Sequence, residues 1–307
     1  MSRRNVVPQP NASVIDGFYD PSTGELRLQL DKPLAREGST NCAFVMDASG
    51  SMAPHYRRPR LGLKPSNVEN FIRQAGAFVA NYDSDHGVQV YLCCLGDGTG
   101  VQDLGNFPQD GLEKLRIDSP NLGGGTYILP ALQRVVKEVV MDSRADYGFI
   151  VLPTDGEIHD LGELRYGPNK QLLAKSGIKG WAYDIAHAIQ AKRHTPFKIV
   201  LIGFDNANEQ QMEELDNLDT DTPIDIFNAL FVADLAGAMD ALDSEAVNNE
   251  FTISSGGYLE ANGQPVVQFE TGVPQRIDAT VPPGLSMITV VLREGAETER
   301  LDVQLPR

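Results

Sequence analysis

The sequence predicts an α/β domain with a doubly wound, mostly parallel sheet, inserted into a small antiparallel β-sandwich. Between residues 41 and 245, short apolar runs alternate with segments of helical periodicity, as expected of β–α–β units. On both sides of this region the apolar spacing falls to two, which is typical of half-exposed antiparallel strands. A chain of 307 residues is long enough for one such domain and a smaller companion.

Residues 1–40 are predicted to contribute a β-hairpin within 12–33. Its strands run from Ser13 to Tyr19 and from Glu25 to Leu30, and the turn between them reads DPSTG. The second strand alternates apolar with polar or charged side chains, so one face is expected to be buried and the other to meet solvent.

Residues 41–245 predict the α/β domain, and its first helix has a clear start signal. Ser66 is placed as an N-cap, and Glu69, three residues later, completes a capping box. A Pro/Arg-rich loop from His55 to Pro65 and a longer segment, 158–179, are predicted to be irregular. The predicted elements in order are strand 42–46, helix 66–79, strand 88–95, a short helix within 111–118, helix 128–141, strand 147–153, helix 181–193, strand 197–204, helix 208–218, strand 226–232 and helix 234–243.

Residues 246–307 are predicted to form five short β-strands separated by turns rich in Gly and Pro. The strands are placed at 251–253, 266–269, 276–281, 287–292 and 301–305. A sandwich of five strands leaves an open edge, which the hairpin of residues 1–40 can cover. We therefore predict one composite sandwich built from both termini.

Composition narrows the range of partners. The chain has 42 acidic and 26 basic residues and a net charge of −16, which argues against nucleic-acid or anionic-membrane binding. No apolar run is long enough to insert into a membrane. The first ten residues lack an apolar segment, so we expect no signal peptide. The three cysteines, Cys42, Cys93 and Cys94, form neither a disulfide framework nor a zinc pattern, and we expect buried thiols in a cytoplasmic protein.

Oxygen-bearing side chains lie in three of the predicted loops. Asp47, Ser49 and Ser51 come directly after the first apolar strand, Thr126 follows three glycines, and Asp155 follows strand 147–153. Taken singly, each is an ordinary turn or capping residue. Because ligands of open α/β sheets bind beyond the carboxyl ends of the strands, the five are expected to converge. A set of oxygens without clustered His or Cys favours Mg²⁺, with Mn²⁺ or Ca²⁺ as alternatives.

The motifs D-x-S-x-S, G-G-G-T and T-D-G, in this order, resemble the metal-ion-dependent adhesion site of von Willebrand factor type A domains. The resemblance covers about residues 41–244 and implies a Rossmann-like sheet. It also implies that Ser49 and Ser51 bind the metal directly, that Asp47 acts through water, and that Thr126 and Asp155 alternate between the two modes. The flanking sandwich is similar to that of intracellular and bacterial versions, whereas loop 55–65 and segment 158–179 depart from the pattern.

The expected function is Mg²⁺-dependent protein binding without enzymatic activity. A partner's Asp or Glu carboxylate would complete the coordination of the metal. One alternative is a Mg²⁺-dependent phosphohydrolase, since Asp47 stands where such enzymes carry a nucleophile. Haloacid-dehalogenase-like hydrolases, however, need a second acid two residues later, where this chain has Ser49. Another alternative is a structural subunit whose sandwich edge strands oligomerise.

Four further polar residues near the predicted metal loops are interpreted as ordinary. His55, His159 and Asp160 are expected to be solvated loop residues, and Asp97 a turn residue in a glycine-rich loop.

Overall fold

The computed structural model describes residues 4–5, 14–30, 40–59, 64–80, 83, 87–118, 120–143, 145–169, 171–235, 237–238, 242, 252–254, 256–269, 272–274, 276–294 and 297–306. The chain divides into two units, Met1–Glu37 with Asp243–Arg307, and Gly38–Leu242. Most of predicted helix 234–243 lies outside the described residues, as do 60–63 of the Pro/Arg-rich loop, the ends of hairpin 12–33, and the start of strand 251–253.

The described strands are numbered along the chain. They are β1 (Arg4–Asn5), β2 (Val14–Tyr19), β3 (Glu25–Leu30), β4 (Thr40–Asp47), β5 (Gly87–Leu95), β6 (Gly100–Pro108), β7 (Tyr147–Thr154), β8 (Leu164–Tyr166), β9 (Leu172–Lys175), β10 (Phe197–Gly203), β11 (Phe227–Phe231), β12 (Thr252–Ser254), β13 (Gly256–Ala261), β14 (Gln264–Phe269), β15 (Val273–Pro274), β16 (Arg276–Thr280), β17 (Met287–Glu294) and β18 (Glu297–Gln304).

The described helices belong to the unit Gly38–Leu242. They are α1 (Ala53–Tyr56), α2 (Asn67–Val79), α3 (Gln109–Leu112), α4 (Leu129–Val135), α5 (Gly177–Gln190) and α6 (Glu209–Asp216). A 3₁₀ turn, Gly50–Met52, precedes α1, and α4 continues as a π-helix over Val136–Met141.

A six-stranded mixed sheet forms the centre of this unit, and the α/β class is confirmed. Its order is β11-β10-β7-β4-β5-β6. The first five run parallel, and β6 pairs antiparallel with β5. Strand β6 was not predicted from the sequence, because this edge strand is largely polar and contains a bulge near Gly105, whose φ is 108°.

Helices cover both faces of the sheet because the central strands carry mainly apolar side chains on both faces. Successive side chains of a strand point to opposite faces. In β4, Val45 packs in the core cluster that contains residues of α4 and α5, whereas Phe44 makes an edge-on contact with Phe71 of α2 at 5.6 Å. All residues of β7 and β10 are buried.

Helix α2 begins with the predicted capping box. The Ser66 hydroxyl accepts from the Glu69 N–H at 3.2 Å, and the Glu69 carboxylate accepts from the Ser66 N–H at 2.8 Å. Arg58 and the Ile117 N–H also donate to Glu69, which is fully buried. One carboxylate thus fixes the start of the helix and two neighbouring loops.

The segment 158–179 is more regular than predicted. It contains the antiparallel pair β8–β9, and α5 begins at Gly177, four residues before its predicted start. Short strands with partly exposed side chains give too few apolar positions to reveal a period. Conversely, the predicted helix within 111–118 is wrong in position, since α3 ends at Leu112.

The described residues of the unit Met1–Glu37 with Asp243–Arg307 form antiparallel strands and the turns between them. Four-stranded sheets have the orders β1-β2-β3-β16 and β14-β13-β17-β18, and β12 pairs with β15. Leu28 of the predicted hairpin lies opposite Ile277, so strands from distant parts of the chain share one sheet. Both four-stranded sheets contribute to one apolar cluster, which includes Leu28 and Val290. Strand β13 was not predicted from the sequence.

Candidate metal centre

Asp47 ends β4 and is completely buried. Its Oδ1 accepts a hydrogen bond from the Ser49 N–H at 2.7 Å, and its Oδ2 accepts one from the Thr154 hydroxyl at 2.6 Å. Burial raises the pKa of Asp47, and the two hydrogen bonds oppose that rise. The carboxylate is therefore held in one orientation at the carboxyl end of the sheet.

Two serine hydroxyls connect the loop after β4 with the loop after β7. Ser49 Oγ lies 3.1 Å from Ser51 Oγ, and Ser51 Oγ donates to Asp155 Oδ1 at 2.7 Å. Burial raises the pKa of Asp155, while the hydrogen bond from Ser51 lowers it. Residues 104 positions apart in sequence thus share a direct contact between oxygens.

Thr126 reaches the same place from the glycine-rich loop. A Cβ on Gly156 would lie 3.0 Å from Thr126 Oγ1 and 3.7 Å from Ser51 Oγ, so both hydroxyls face the backbone just after Asp155. Backbone bridges between Thr126 and Ile158 and between Ser49 and Gly123 hold this loop against the other two. The structure therefore brings together all five residues that the sequence singled out.

Glycine at position 123 is required by the close approach of β5. A Cβ there would lie 1.9 Å from the carbonyl oxygen of Cys94, which no side chain tolerates. The Gly123 N–H donates to the Ala48 carbonyl at 2.9 Å. The glycine-rich loop is consequently fixed to both β4 and β5, and Thr126 is positioned by rigid strands.

The donor atoms of this cluster fit a hard divalent cation. Two carboxylates and three hydroxyls offer oxygen alone, which Mg²⁺, Mn²⁺ and Ca²⁺ prefer. Within the described part of the chain, neither Asp47 nor Asp155 forms an ion pair with Lys or Arg. Buried carboxylates without a cationic partner are costly, and a bound cation relieves that cost.

Two supporting residues were not singled out from the sequence. Thr154 bonds to the Asp47 carboxylate, and the buried Tyr56 hydroxyl donates to the Asp47 carbonyl at 2.8 Å. Thr154 stands directly before Asp155 in the T-D-G motif, so the position carried a signal. Tyr56 carried none, because its role depends on the fold of α1 back onto β4.

The residues interpreted as solvated loop positions have defined partners instead. His55 Nε2 lies 2.9 Å from Asp205 Oδ2, and its ring meets Phe204 edge-on. His159 Nδ1 accepts from the Thr126 N–H at 3.0 Å. Each of these side chains fixes a segment beside the cluster.

Asp160 and Asp97 bond to backbone N–H groups. The Asp160 carboxylate accepts from the N–H groups of Ile128 and Leu129 at 3.1 and 2.8 Å. It is therefore a remote cap for α4, which the loop interpretation did not foresee. Asp97 is a turn residue as predicted, since it accepts from the N–H and hydroxyl of Thr99.

Comparisons with known proteins found solved structures of similar fold. No protein-family model and no curated protein matches the sequence. Similar solved structures include a pilus adhesin from Lactobacillus rhamnosus GG (13% identity, 98% of this chain and 47% of that one, TM-score 0.45), the PilB minor pilin from Streptococcus sanguinis (15%, 70% and 62%, 0.40) and the vWF domain of a type V pilus tip protein from Porphyromonas gingivalis (12%, 68% and 94%, 0.37). The chain spans less than two thirds of the adhesin and of the minor pilin.

The cytoplasmic location expected from the sequence is wrong. We expected a cytoplasmic protein, whereas the similar structures include a pilus adhesin and a minor pilin, which are proteins of the cell surface. This finding overturns the cytoplasmic location. Within the described residues, no helix has both the length and the apolar character needed to cross a membrane.

Proposed function

We propose that this chain is a protein-binding module of the von Willebrand factor type A kind, whose partner binds through a divalent cation. The cation, Mg²⁺ in the first instance, would be held by Asp47, Ser49, Ser51, Thr126 and Asp155. The observation that carries the proposal is the contact of Ser51 with both Ser49 and Asp155, because it joins oxygens from two loops at one point.

The charge of the cluster suits a divalent cation that can still bind an anionic group of a partner. Two carboxylates balance a divalent ion, and the hydroxyls of Ser49, Ser51 and Thr126 add no charge. Asp47 is already engaged by Ser49 and Thr154, so it acts mainly as a buried counter-charge. A partner's Asp or Glu carboxylate is the protein group best suited to such an ion.

A phosphohydrolase is less well supported by the same geometry. A nucleophilic carboxylate must reach its substrate, yet Asp47 is fully buried and both of its oxygens accept hydrogen bonds. The position two residues later is Ser49, which supplies no acid. We therefore propose that the chain binds and does not catalyse.

Metal binding is tested by calorimetric titration of the full chain with Mg²⁺ and Mn²⁺. Ser51→Ala should abolish or greatly weaken binding while leaving the fold intact, because Ser51 is exposed and its loss empties no core. Ser22→Ala, an exposed serine in the antiparallel unit, serves as the matched control. Equal metal affinity in wild type and Ser51→Ala contradicts the proposal.

Partner chemistry is tested by selecting displayed random peptides on the full chain in Mg²⁺ and in EDTA. We expect Mg²⁺-dependent peptides that share an Asp or Glu, and replacement of that residue by Asn or Gln should abolish binding. Peptides that bind equally in EDTA, or that lack an acidic residue, would overturn the carboxylate mode.

A further inference from the structure

Two adjacent cysteines point to the same side of β5. Successive side chains of a regular strand alternate between faces, yet Cys93 Sγ and Cys94 Sγ lie 3.6 Å apart. The cause is local: Cys94 has a left-handed φ of 59°, and the pairing of β5 with β6 shifts register between Leu92 and Leu95. The bulge turns two thiols into a single cluster.

The carboxylate of Asp47 completes this cluster. The Asp47 oxygen and the two sulfurs all lie within 4.8 Å of one another, and all three residues are buried. The carbonyl oxygen of Tyr127 is a further donor, 3.6 Å from Cys94 Sγ. Two sulfurs and one or two oxygens form a donor set quite different from that of Ser49, Ser51 and Thr126.

The distance between the sulfurs matches shared coordination better than a covalent bond. A disulfide brings its sulfurs to about 2.05 Å. Two thiolates on one tetrahedral zinc, each about 2.3 Å from the metal, lie about 3.8 Å apart. The observed 3.6 Å is a hydrogen-bond contact between two thiols, and a change of about 0.2 Å in this separation lets both sulfurs bind one ion.

Packing alone does not require this arrangement. Small buried thiols can pack on either face of a strand, whereas a left-handed backbone is unfavourable for a non-glycine residue. The bulge is held in place by the contact of the Cys94 carbonyl with Gly123. The thiols are therefore fixed beside Asp47.

We propose that Cys93, Cys94 and Asp47 form a second metal site, which takes a thiophilic divalent cation of the Zn²⁺ or Cd²⁺ class. On binding, two S–H bonds break, two S–metal bonds form and two protons are released to solvent. The two thiolates neutralise the cation, and one Asp47 oxygen supplies a third ligand through the lone pair that its hydrogen bond leaves available. No oxidant or reductant takes part.

The metal-free cluster selects for soft cations. Two of its three donor atoms are sulfurs, which suit Zn²⁺ or Cd²⁺. Mg²⁺ prefers oxygen ligands and has little affinity for thiolates. Because Asp47 belongs to both clusters, the soft cation should exclude Mg²⁺; this competition, unlike the site itself, rests on the proposed function.

The test is a titration of the reduced full chain with Cd²⁺, followed by the ultraviolet thiolate-to-cadmium absorption band. We expect one Cd²⁺ per chain, with the band lost in Cys93→Ser and in Cys94→Ser. Cys42→Ser, which changes the third buried thiol, should keep the full band. No band in wild type, or a band unchanged in either variant, overturns the proposal.

Variants that fail to fold do not prevent a decision. Circular dichroism checks each fold, and Cys93→Ala and Cys94→Ala replace any serine variant that unfolds. Calorimetry of the wild type in buffers of different ionisation enthalpy counts released protons independently. We expect two per Cd²⁺, and none would overturn the proposal.

The two metal proposals fail separately. A cadmium band in a chain that binds no Mg²⁺ leaves the thiolate site standing and removes the proposed function. Mg²⁺ binding without a cadmium band leaves the proposed function standing and removes the thiolate site. If both ions bind, prior loading with Cd²⁺ should abolish the Mg²⁺ heat, and independent binding of both would overturn the sharing of Asp47.

Discussion

The hydroxyl of Thr154 donates a 2.6 Å hydrogen bond to Oδ2 of Asp47, and this contact joins the carboxyl ends of β7 and β4. Both residues are completely buried. A hydrogen bond to a buried carboxylate stabilises its charged form and fixes its orientation. The pair therefore connects the stability of the sheet to the geometry of the candidate metal centre.

Thr154→Val should destabilise the fold and weaken metal binding together. Valine has the shape of threonine but no donor, so Asp47 loses a partner, at a cost of about 1–3 kcal/mol. Urea unfolding in EDTA measures the first effect and Mg²⁺ calorimetry the second. Thr289→Val, which removes a similar bond to Asp302 in the antiparallel unit, should lower stability and leave Mg²⁺ affinity unchanged. Normal Mg²⁺ affinity in Thr154→Val would contradict this prediction.

Asp160→Ala should loosen the loop that carries Thr126. Its carboxylate accepts from two N–H groups at the start of α4, and loss of such a cap costs about 0.5–2 kcal/mol. Hydrogen exchange should show faster exchange of the Ile128 and Leu129 amides. Asp97→Ala, which removes a turn carboxylate from the neighbouring loop, should leave those amides unchanged. Protection of both amides at the wild-type level would refute the capping role.

The convergence of the metal-centre residues could be predicted because it follows from strand direction. Asp47 ends β4 and Asp155 directly follows β7, and parallel strands with apolar runs are the strongest signal in this sequence. The capping box of Ser66 and Glu69 was equally local, since two residues three positions apart define it. Such features need no knowledge of distant contacts.

Other features depend on contacts that sequence spacing does not carry. Strand β6 is polar and becomes a strand only because β5 offers it an edge. The clustering of Cys93 with Cys94 requires the left-handed backbone of Cys94, whereas alternation predicts opposite faces. The support of Asp47 by Tyr56 likewise arises only when α1 folds back onto β4.

Glu69 should make stability fall in acid. Burial alone would raise its pKa, but hydrogen bonds from Arg58, Ile117 and Ser66 outweigh burial and lower the pKa from 4.5 to about 2. The resulting stabilisation is complete above pH 4.5 and is lost as the pH falls from 4.5 towards 2, by up to about 3 kcal/mol. Urea unfolding across this range measures the loss.

Glu69→Gln should flatten that acid dependence, since glutamine does not titrate. The variant should also be less stable than wild type at pH 7, because it removes the charge that Arg58 contacts. Glu113→Gln, at an exposed position, serves as the control and should keep the wild-type profile. An unchanged acid limb in Glu69→Gln would show that other carboxylates govern acid unfolding.

Gly156→Ala should impair metal binding more than stability. The added Cβ would lie 3.0 Å from Thr126 Oγ1, a distance at which one of the two groups must shift by a few tenths of an ångström. Such a shift moves a hydroxyl of the candidate metal centre, and small displacements of ligands weaken metal sites strongly. We expect a clear loss of Mg²⁺ affinity, measured by calorimetry, with a small change in the free energy of unfolding.

Gly124→Ala is the matched control, because it adds a methyl group to the glycine-rich loop itself. A Cβ at Gly124 meets no atom within 4 Å, so its contacts with the rest of the chain are unaffected. If Mg²⁺ binding depends on the position of the Thr126 hydroxyl and not on the flexibility of a glycine backbone, Gly124→Ala keeps wild-type Mg²⁺ affinity while Gly156→Ala loses it. Equal loss in both variants would mean that glycine flexibility controls binding, and equal retention would remove Thr126 from the centre.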